Sequence, residues 1–318
     1  MKDVLLNVVV RKAQQQGAGV LVLDLCSSAG EPLPAFEAGA HVDVHLPGGL
    51  VRQYSLCGDP ADQHRYRLGV LKDPASRGGS DAVHATLREG SAVTISAPRN
   101  LFPLASSAQR SLLIGGGIGI TPMIAMAYAL HARNADFELH YCGRSRSNAA
   151  FLDELAAAPF AHRVTPHFDD EPASKLDLAV VLGTAANDGH VYTCGPSGFM
   201  EWVIGGARAA GYPEHQVHRE YFQVEVDNSG EAFEVHAARS GKTVQVNAGQ
   251  SIVQALANVG IEVDVSCEQG VCGTCLCDVL EGQPDHRDVY LTDDEREAND
   301  QMLLCCSRSS SKRLVLDI

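Results

Sequence analysis

Four cysteines near the carboxyl end constrain this 318-residue chain more than any other feature. Cys267, Cys272 and Cys275 follow the spacing C-x4-C-x2-C, and Cys305 comes after a further 29 residues. Thiolates at this spacing are the ligands of a [2Fe–2S] cluster. Two glycines lie between the first three cysteines, and they allow the tight loop that such a cluster requires. The pattern therefore predicts a domain that carries electrons one at a time.

Other uses of these cysteines fit the spacing less well. A structural zinc site usually contains two C-x2-C pairs, whereas the first gap here is four residues. A disulfide framework is not expected in a chain of this length whose first ten residues show no signal-peptide pattern. The scatter of the remaining cysteines predicts a reduced, cytoplasmic setting. Cys306 adjoins Cys305, so either could supply the fourth ligand, and Cys277 is interpreted as a bystander.

One apolar segment tests whether the chain is a membrane protein. Residues 111–131 contain no side chain that is charged at neutral pH, and they are long enough to span a bilayer. However, the segment also contains four glycines and Thr121-Pro122, which would break a lipid-exposed helix near its middle. We therefore predict a buried strand, a glycine turn and an apolar helix. The overall composition, 45% hydrophobic and 20% charged, is typical of a protein that does not enter membranes.

The formal net charge of −14 is concentrated at the carboxyl end. Residues 224–318 carry seven basic and seventeen acidic side chains, whereas residues 1–105 are balanced at ten each. An acidic surface around the cluster favours a basic protein partner and argues against nucleic acid. The alternative, that the charge only keeps a small domain in solution, stays open.

The hydrophobic pattern changes twice along the chain, which predicts a multidomain protein of the α/β and β classes. Residues 1–105 contain short strands separated by turns, which indicates an antiparallel β-barrel or sandwich. Residues 106–223 alternate apolar strands with helices, which indicates a parallel α/β nucleotide-binding domain. Residues 224–318 begin with a polar connector at 225–231 and contain strands, a helix and the cysteine loop, in an order compatible with a β-grasp domain.

Two glycine turns follow buried strands in the middle block. Such turns let backbone amides approach a pyrophosphate, and the helix that follows adds a partial positive charge. The first is not a complete G-x-G-x-x-G, because Ile120 stands where the third glycine belongs. A glycine turn also occurs for packing reasons, but two of them in one parallel sheet predict a dinucleotide site. The residues assigned to it are Gly115, Gly116, Gly117, Thr121, Pro122, Cys194, Gly195 and Pro196.

Two further motifs lie in the first block. One offers a ring, a cation and a hydroxyl to a flavin, and the other combines a guanidinium, glycine amides and hydroxyls that suit a terminal phosphate. Each is a weak signal alone, since both patterns also occur in surface hairpins. Their residues are Arg52, Tyr54, Ser55 and Leu56 for the first and Arg77, Gly78, Gly79 and Ser80 for the second.

Taken together and in this order, the motifs resemble those of the phthalate dioxygenase reductase family over essentially the whole chain. The resemblance implies an FMN-binding barrel, an NADH-binding domain and a C-terminal plant-type ferredoxin domain. It places the isoalloxazine at residues 52–56, the FMN phosphate at 77–80 and the nicotinamide side at 115–122 and 194–197. It also matches the first cysteine of the pair 305–306 to the cluster ligand, although Cys306 replaces the small apolar residue of the family pattern.

The function implied by the resemblance is electron transfer from NADH through FMN and the [2Fe–2S] cluster to a terminal oxygenase. That oxygenase is expected to be of the Rieske type and to act on an aromatic acid or a similar small substrate. Tyr54 and Ser55 would orient the flavin, while Thr121, Cys194 and residues 220–222, including Phe222, would shape the nicotinamide pocket. Ser55 and Cys194 are the predicted catalytic residues.

Several alternatives stay open at this level. The acceptor could instead be a cytochrome P450 or an amine- or carnitine-oxidising oxygenase, and a distant alternative is a non-enzymatic iron–sulfur carrier or redox sensor. NADH is favoured by resemblance alone, because Arg144 and Arg146 could bind the 2′-phosphate of NADPH. Nothing in the sequence requires more than a monomer.

Overall fold

The computed structural model describes residues 4–184 and 188–318 of the chain. It divides into two compact units, residues 1–220 and 221–318. The first contains an antiparallel sheet and then a parallel sheet, and the second contains a mixed sheet. The domain boundaries at 105 and 223 stay predictions; the division between the units lies three residues before the second of them. Among the described residues, no helix is both long enough and apolar enough to cross a membrane.

The antiparallel sheet is curled, as the predicted barrel requires. Its strands run in the order β4-β3-β6-β1-β2-β5, with β7 paired to β3. A bridge between Leu56 and Leu68 joins the chain just after β4 to β5, so the two edges of the sheet meet. The elements are β1 (Leu5–Gln16), β2 (Val20–Ser27), β3 (Ala40–His45), β4 (Val51–Ser55), β5 (Tyr66–Leu71), α1 (Gly79–Thr86), β6 (Ala92–Ser96) and β7 (Arg99–Asn100).

Helix α1 was not predicted, because its eight residues include only two buried positions, Gly79 and Val83, too few to show a helical period.

The second half of the first unit is a five-stranded parallel sheet in the order β10-β9-β8-β11-β12. The chain moves outward from β8 to β9 and β10, then returns to β11 on the other side of β8. The gap between β8 and β11 is therefore the topological switch point, where open α/β sheets bind ligands. The elements are β8 (Arg110–Gly116), α2 (Ile120–Ala132), β9 (Asp136–Gly143), α3 (Leu152–Ala157), β10 (Val164–Phe168), α4 (Leu178–Leu182), β11 (Gly189–Cys194), α5 (Ser197–Ala209) and β12 (Val217–Glu220).

The apolar segment 111–131 forms the predicted strand, glycine turn and helix, as β8 and α2. Leu113, Ile114, Met123 and Ile124 are completely buried, so the lack of charge reflects packing between the sheet and its helix. Short 3₁₀ helices punctuate the first unit at Pro47–Gly49, Gly117–Gly119, Arg146–Asn148, Ala161–Arg163, Pro172–Ser174 and Glu214–Gln216.

The second unit is built on a mixed sheet in the order β14-β13-β19-β15-β17, with a two-stranded ladder of β16 and β18 beside it. β13 and β19 are parallel and the other neighbours are antiparallel. Val235, Leu256, Met302 and Leu314 form the centre of its core. The elements are β13 (Phe233–Ala237), β14 (Lys242–Val246), α6 (Ile252–Ala257), β15 (Leu276–Glu281), β16 (Pro284–Asp285), α7 (Asp293–Ala298), β17 (Gln301–Leu303), β18 (Arg308–Ser309) and β19 (Arg313–Leu316).

A buried arginine holds the start of this unit together. Arg308 is 2% exposed, and its guanidinium donates to the backbone carbonyls of Gln250 at 2.7 Å, Glu231 at 2.9 Å and Asn247 at 3.3 Å. It also lies 5.1 Å from the ring centroid of Phe233. Because a buried charge is costly unless its donors are used, this set of carbonyls fixes the carboxyl end of the polar connector to the body of the unit.

We expect Arg308→Met to destabilise the second unit by on the order of 3–5 kcal/mol, because three buried carbonyls lose their charged donor. The exposed pair Arg313–Glu234, at 3.3 Å, offers a matched control. Arg313→Met should change stability by less than about 1 kcal/mol. Hydrogen exchange of peptides covering β13 and β14 measures both variants. Equal protection in the two variants would contradict a structural role for Arg308.

Candidate functional site

Ser55 and Cys194, the two predicted catalytic residues, lie beside the same carboxyl group. Ser55 ends β4 of the antiparallel sheet, and its Oγ donates to Oε2 of Glu220 at 3.3 Å. Cys194 ends β11 and pairs in register with Glu220 on β12. Burial, and next the nearby charge of Glu220, raises the pKa of the Cys194 thiol well above its usual range. The structure thus places one residue from each sheet around Glu220, with a thiol that stays protonated.

Burial also raises the pKa of Glu220, to about 8, while its hydrogen bond from Ser55 opposes the rise. At neutral pH the Glu220 carboxyl is therefore mostly neutral and able to donate a proton in a hydrogen bond. A raised carboxyl pKa means that the folded state binds a proton the unfolded state has released. The stability that Glu220 contributes is thus fully present below about pH 4.5 and is lost as the pH rises through about 8.

We expect the first unit to lose about 4–5 kcal/mol of stability between pH 4 and pH 9 through Glu220 alone. Glu220→Gln should remove this component, whereas Glu201→Gln, at an exposed position on α5, should retain it. Trp202 is the only tryptophan of the chain and lies in α5. Its fluorescence during denaturant unfolding therefore reports on the first unit. Parallel pH profiles for the wild type and Glu220→Gln would refute the assignment.

The two predicted flavin motifs contact each other. Arg52 donates to the carbonyl of Val51 at 2.7 Å and to that of Arg77 at 3.0 Å. A Cβ atom added to Gly79 would lie 2.4 Å from Cγ of Arg52, so only glycine allows this approach. Gly78 has a φ of 87° and directly precedes the first amides of α1. The site is suited to the phosphate of FMN.

The remaining flavin residues have different surroundings. Ser80 Oγ accepts from the amide of Asp73 at 3.1 Å and so closes the loop between β5 and α1. Tyr54 is half-buried, and burial raises its pKa to about 12, with Arg52 opposing; its hydroxyl stays protonated in ordinary buffers. Leu56 is completely buried, so its side chain packs in the barrel.

The two glycine turns touch at the switch point. A Cβ atom on Gly119 would lie 2.2 Å from the carbonyl oxygen of Cys194 and 2.6 Å from the amide nitrogen of Gly195. On the other side, Phe199 packs against Gly116 and Gly195, where added Cβ atoms would lie 2.7 and 2.9 Å from its ring. Phe199 gave no signal in the sequence. The turns therefore form one continuous backbone surface of the kind that accommodates a pyrophosphate.

The predicted nicotinamide residues are placed as follows. Thr121 is buried, its Oγ1 donates to the carbonyl of Ile118 at 3.0 Å, and its methyl group faces Gly69 of β5. Pro122 lies buried in the first turn of α2, and Pro196 directly precedes α5. Phe222 belongs to the second compact unit, so its role in the pocket stays a prediction.

The cysteine loop has the properties that a cluster site requires. All four predicted ligands are buried, with exposed fractions of 3–7%. Cys267 lies within hydrogen-bonding reach of both Cys272 and Cys305. The amides of Gln269 and Thr274 donate to the sulfurs of Cys267 and Cys272 at 3.3 and 3.4 Å. Such donors stabilise thiolates, and hydrogen bonds to sulfur tune the reduction potential of an iron–sulfur centre.

The glycines of this loop have no room for side chains. Gly270 and Gly273 have φ values of 72° and 74°. A Cβ atom on Gly270 would lie 2.5 Å from the sulfur of Cys306, and one on Gly273 would lie 2.4 Å from the ring of Tyr290. Cys306 thus packs against the back of the loop, whereas Cys305 is the one of the pair that approaches Cys267. This geometry favours Cys305 as the fourth ligand.

Within residues 4–184 and 188–318, no group of three or more His, Cys, Asp and Glu side chains is arranged around a single metal position. A [2Fe–2S] cluster does not require one, because its four ligands are shared between two irons. The donors present are thiols with backbone amides directed at two of them. These residues fit such a cluster.

The chain matches two families of known proteins. Residues 113–204 match the oxidoreductase NAD-binding domain, and residues 235–310 match the 2Fe-2S iron-sulfur cluster binding domain. A vanillate O-demethylase oxidoreductase of Pseudomonas sp. (strain HR199 / DSM 7063) is 50% identical over 99% of this chain and 100% of the relative.

Two solved structures resemble the whole chain. A phthalate dioxygenase reductase, described as a modular structure for electron transfer from pyridine nucleotides to [2Fe–2S], has a TM-score of 0.76 and 37% identity over 99% of this chain and 98% of its own. An intact type IV self-sufficient cytochrome P450 monooxygenase has a TM-score of 0.86 and 39% identity over 99% of this chain and 41% of its own. The predicted barrel, parallel sheet and ferredoxin domain are confirmed by these matches.

Proposed function

Because this chain belongs to the phthalate dioxygenase reductase family, we propose that it is the NADH-oxidising component of a Rieske-type system that demethylates vanillate or a similar methoxylated aromatic acid. Membership makes it an electron-transfer reductase of an oxygenase that uses FMN, NADH and a [2Fe–2S] cluster. The proposal adds the substrate class. The observation that carries it is the 50% identity to a vanillate O-demethylase oxidoreductase along the full length of both chains.

The residues of the first unit would bind and orient the two reactants of hydride transfer. Together the flavin and the iron–sulfur cluster accept an electron pair and release single electrons. Residues 77–80, at the start of α1, would hold the FMN phosphate, and residues 52–56 would contact the isoalloxazine. The contacting glycine turns would hold the pyrophosphate of NADH. A hydrogen bond from Ser55 to Glu220 joins the antiparallel sheet to the parallel sheet, and the buried Cys194 thiol lies beside the Glu220 carboxyl. Because the Glu220 carboxyl and the Cys194 thiol are mostly neutral at pH 7, they would place no negative charge beside the bound flavin.

The second unit would contact the oxygenase through its acidic surface. Residues 224–318 have a net charge of −10, and exposed carboxylates of α7 and the cluster loop contribute to it. Such a surface would speed association with a basic docking face at low ionic strength. We further propose that the protein is a monomer and lies in the cytoplasm, where a reducing environment suits its ten free cysteines.

The proposed substrate class is tested by reconstitution. The purified chain, NADH and the oxygenase component of a vanillate O-demethylase are mixed with vanillate, and formaldehyde release is measured. We expect turnover that depends on all components. A cytochrome P450 is included as a second acceptor, because the chain resembles part of a self-sufficient P450. Efficient coupling to the P450 but not to the demethylase oxygenase would overturn the proposal. The family assignment would survive that result.

A further inference from the structure

The edge of the parallel sheet where β9 and β10 end contains an arginine held by a carboxylate. In a doubly wound sheet, the residues after the second strand contact the ribose 2′ position of the dinucleotide. Here the second strand is β9, and Arg144 and Arg146 follow it. By sequence alone these arginines suit the 2′-phosphate of NADPH. The structure shows that one of them, Arg146, already pairs with a carboxylate.

Arg146 makes a two-pronged ion pair with Glu171. Its Nε donates to Oε1 and its Nη2 to Oε2, both at 3.1 Å. The guanidinium carbon also lies 4.6 Å from the ring centroid of the buried Phe168. A bidentate pair on an aromatic surface fixes the orientation of the guanidinium and uses the fork that would otherwise bind a phosphate.

Glu171 is held in place by its own turn. Ser174 donates from its amide to the carbonyl of Glu171 at 2.8 Å, and its hydroxyl accepts from the amide of Phe168 at 3.1 Å. The amides of Asp169 and Asp170 bond back to the carbonyls of Gly143 and Arg144 at 3.0 and 3.3 Å. The segment after β10 therefore runs beside the segment after β9 with a defined geometry.

The carboxylates at this edge of the sheet disfavour the 2′-phosphate of NADPH. The segment after β9 carries two arginines, at 144 and 146, and the segment after β10 beside it carries three consecutive carboxylates, at 169 to 171. The hydrogen bond from Arg146 to Glu171 raises the pKa of the guanidinium, and the charges of Glu171 and Asp170 act in the same direction. A 2′-phosphate would have to break the Arg146 pair and approach the released carboxylate of Glu171, whereas a neutral 2′-hydroxyl has no such requirement.

We propose that Glu171, by holding Arg146, is the residue that makes this chain select NADH over NADPH. The proposal rests on the proposed function, since it concerns the dinucleotide of the same hydride transfer. It names a residue that lies outside the glycine turns. Glu171 acts through Arg146 and is a positioning residue.

The test is Glu171→Gln, which frees Arg146 and removes one negative charge. We expect the ratio of kcat/KM for NADPH to that for NADH, measured with ferricyanide, to rise about tenfold or more, the factor supplied by one charge-assisted contact to phosphate. Calorimetric titration with 2′,5′-ADP and with ADP should show the same change without any redox chemistry. kcat/KM for NADH should change less than about threefold, because a neutral 2′-hydroxyl does not need the charge of the freed arginine.

Two further variants make the result decisive. Glu138→Gln is matched in charge, since Glu138 pairs with Arg110 at 2.6 Å near the amino end of β9, and it should leave the ratio unchanged. Glu171→Gln with Arg146→Ala should lose the gain. An unchanged ratio in Glu171→Gln, an equal gain in Glu138→Gln, or a gain that persists in the double variant would each overturn the proposal. Failure to support an oxygenase would affect only the proposed function, because ferricyanide reduction and 2′,5′-ADP binding do not involve one.

Discussion

Replacing Cys272 with serine is expected to leave a flavoprotein that NADH reduces at the wild-type rate but that hardly reduces a one-electron protein acceptor. The predicted flavin residues and the two glycine turns lie in the first unit, residues 1–220, and Cys272 lies in the second. The variant should therefore keep its ferricyanide activity. Transfer to the oxygenase should fall to about 1% or less, because single-electron delivery depends on the cofactor that Cys272 would bind.

Neighbouring cysteines supply the controls for this experiment. Cys277 lies on β15 and is half-buried, so Cys277→Ser should keep the iron content and both activities. Cys305→Ser should behave like Cys272→Ser, whereas Cys306→Ser should keep the cluster, because Cys306 packs against Gly270 behind the loop. Iron content and the electron paramagnetic resonance of the reduced protein measure all four variants. Full oxygenase turnover by Cys272→Ser would refute the proposed electron path.

The sequence predicted those parts of the fold and the site whose contacts join residues close together in the chain. The spacing of the cysteines predicted a buried loop whose ligand candidates approach one another, and β8, the first glycine turn and α2 were predicted from one uncharged segment. Resemblance identified residues 52–56 and 77–80 as one site. The carbonyl of Arg77 in fact accepts a hydrogen bond from Arg52.

The contacts that sequence could not predict join distant parts of the chain. Ser55 and Glu220 are 165 residues apart, and no periodic pattern indicates that a barrel strand and the last strand of the parallel sheet share a hydrogen bond. For Arg146 the sequence suggested a phosphate ligand, because the arginine follows a strand of the parallel sheet. Only the fold shows that Glu171 pairs with its guanidinium. Pairing of charges across a sheet edge depends on strand order, which composition does not encode.

Replacing Gly119 with alanine is expected to lower kcat/KM for NADH about 100-fold, the cost of displacing reacting groups by about 1 Å. Gly119 has an ordinary helical φ of −64°, so backbone strain is not the reason. The added methyl group would lie within 2.6 Å of Cys194 and Gly195 backbone atoms, and these cannot rotate away as a flexible side chain could. The two turns must separate, and the surface that they form for the pyrophosphate opens.

The damage from Gly119→Ala should be confined to the nucleotide. Flavin content and the iron content of the second unit should match the wild type, since the atoms nearest the added methyl group belong to the backbone of Cys194 and Gly195. Gly205→Ala adds the same methyl group to α5 where no atom lies within 4 Å, and it should leave kcat/KM unchanged. Stopped-flow reduction of the flavin by NADH distinguishes the two variants directly. If Gly119→Ala reduced its flavin within threefold of the wild-type rate, close contact between the turns would not be what positions the dinucleotide, and the binding surface would have to lie elsewhere on the sheet edge.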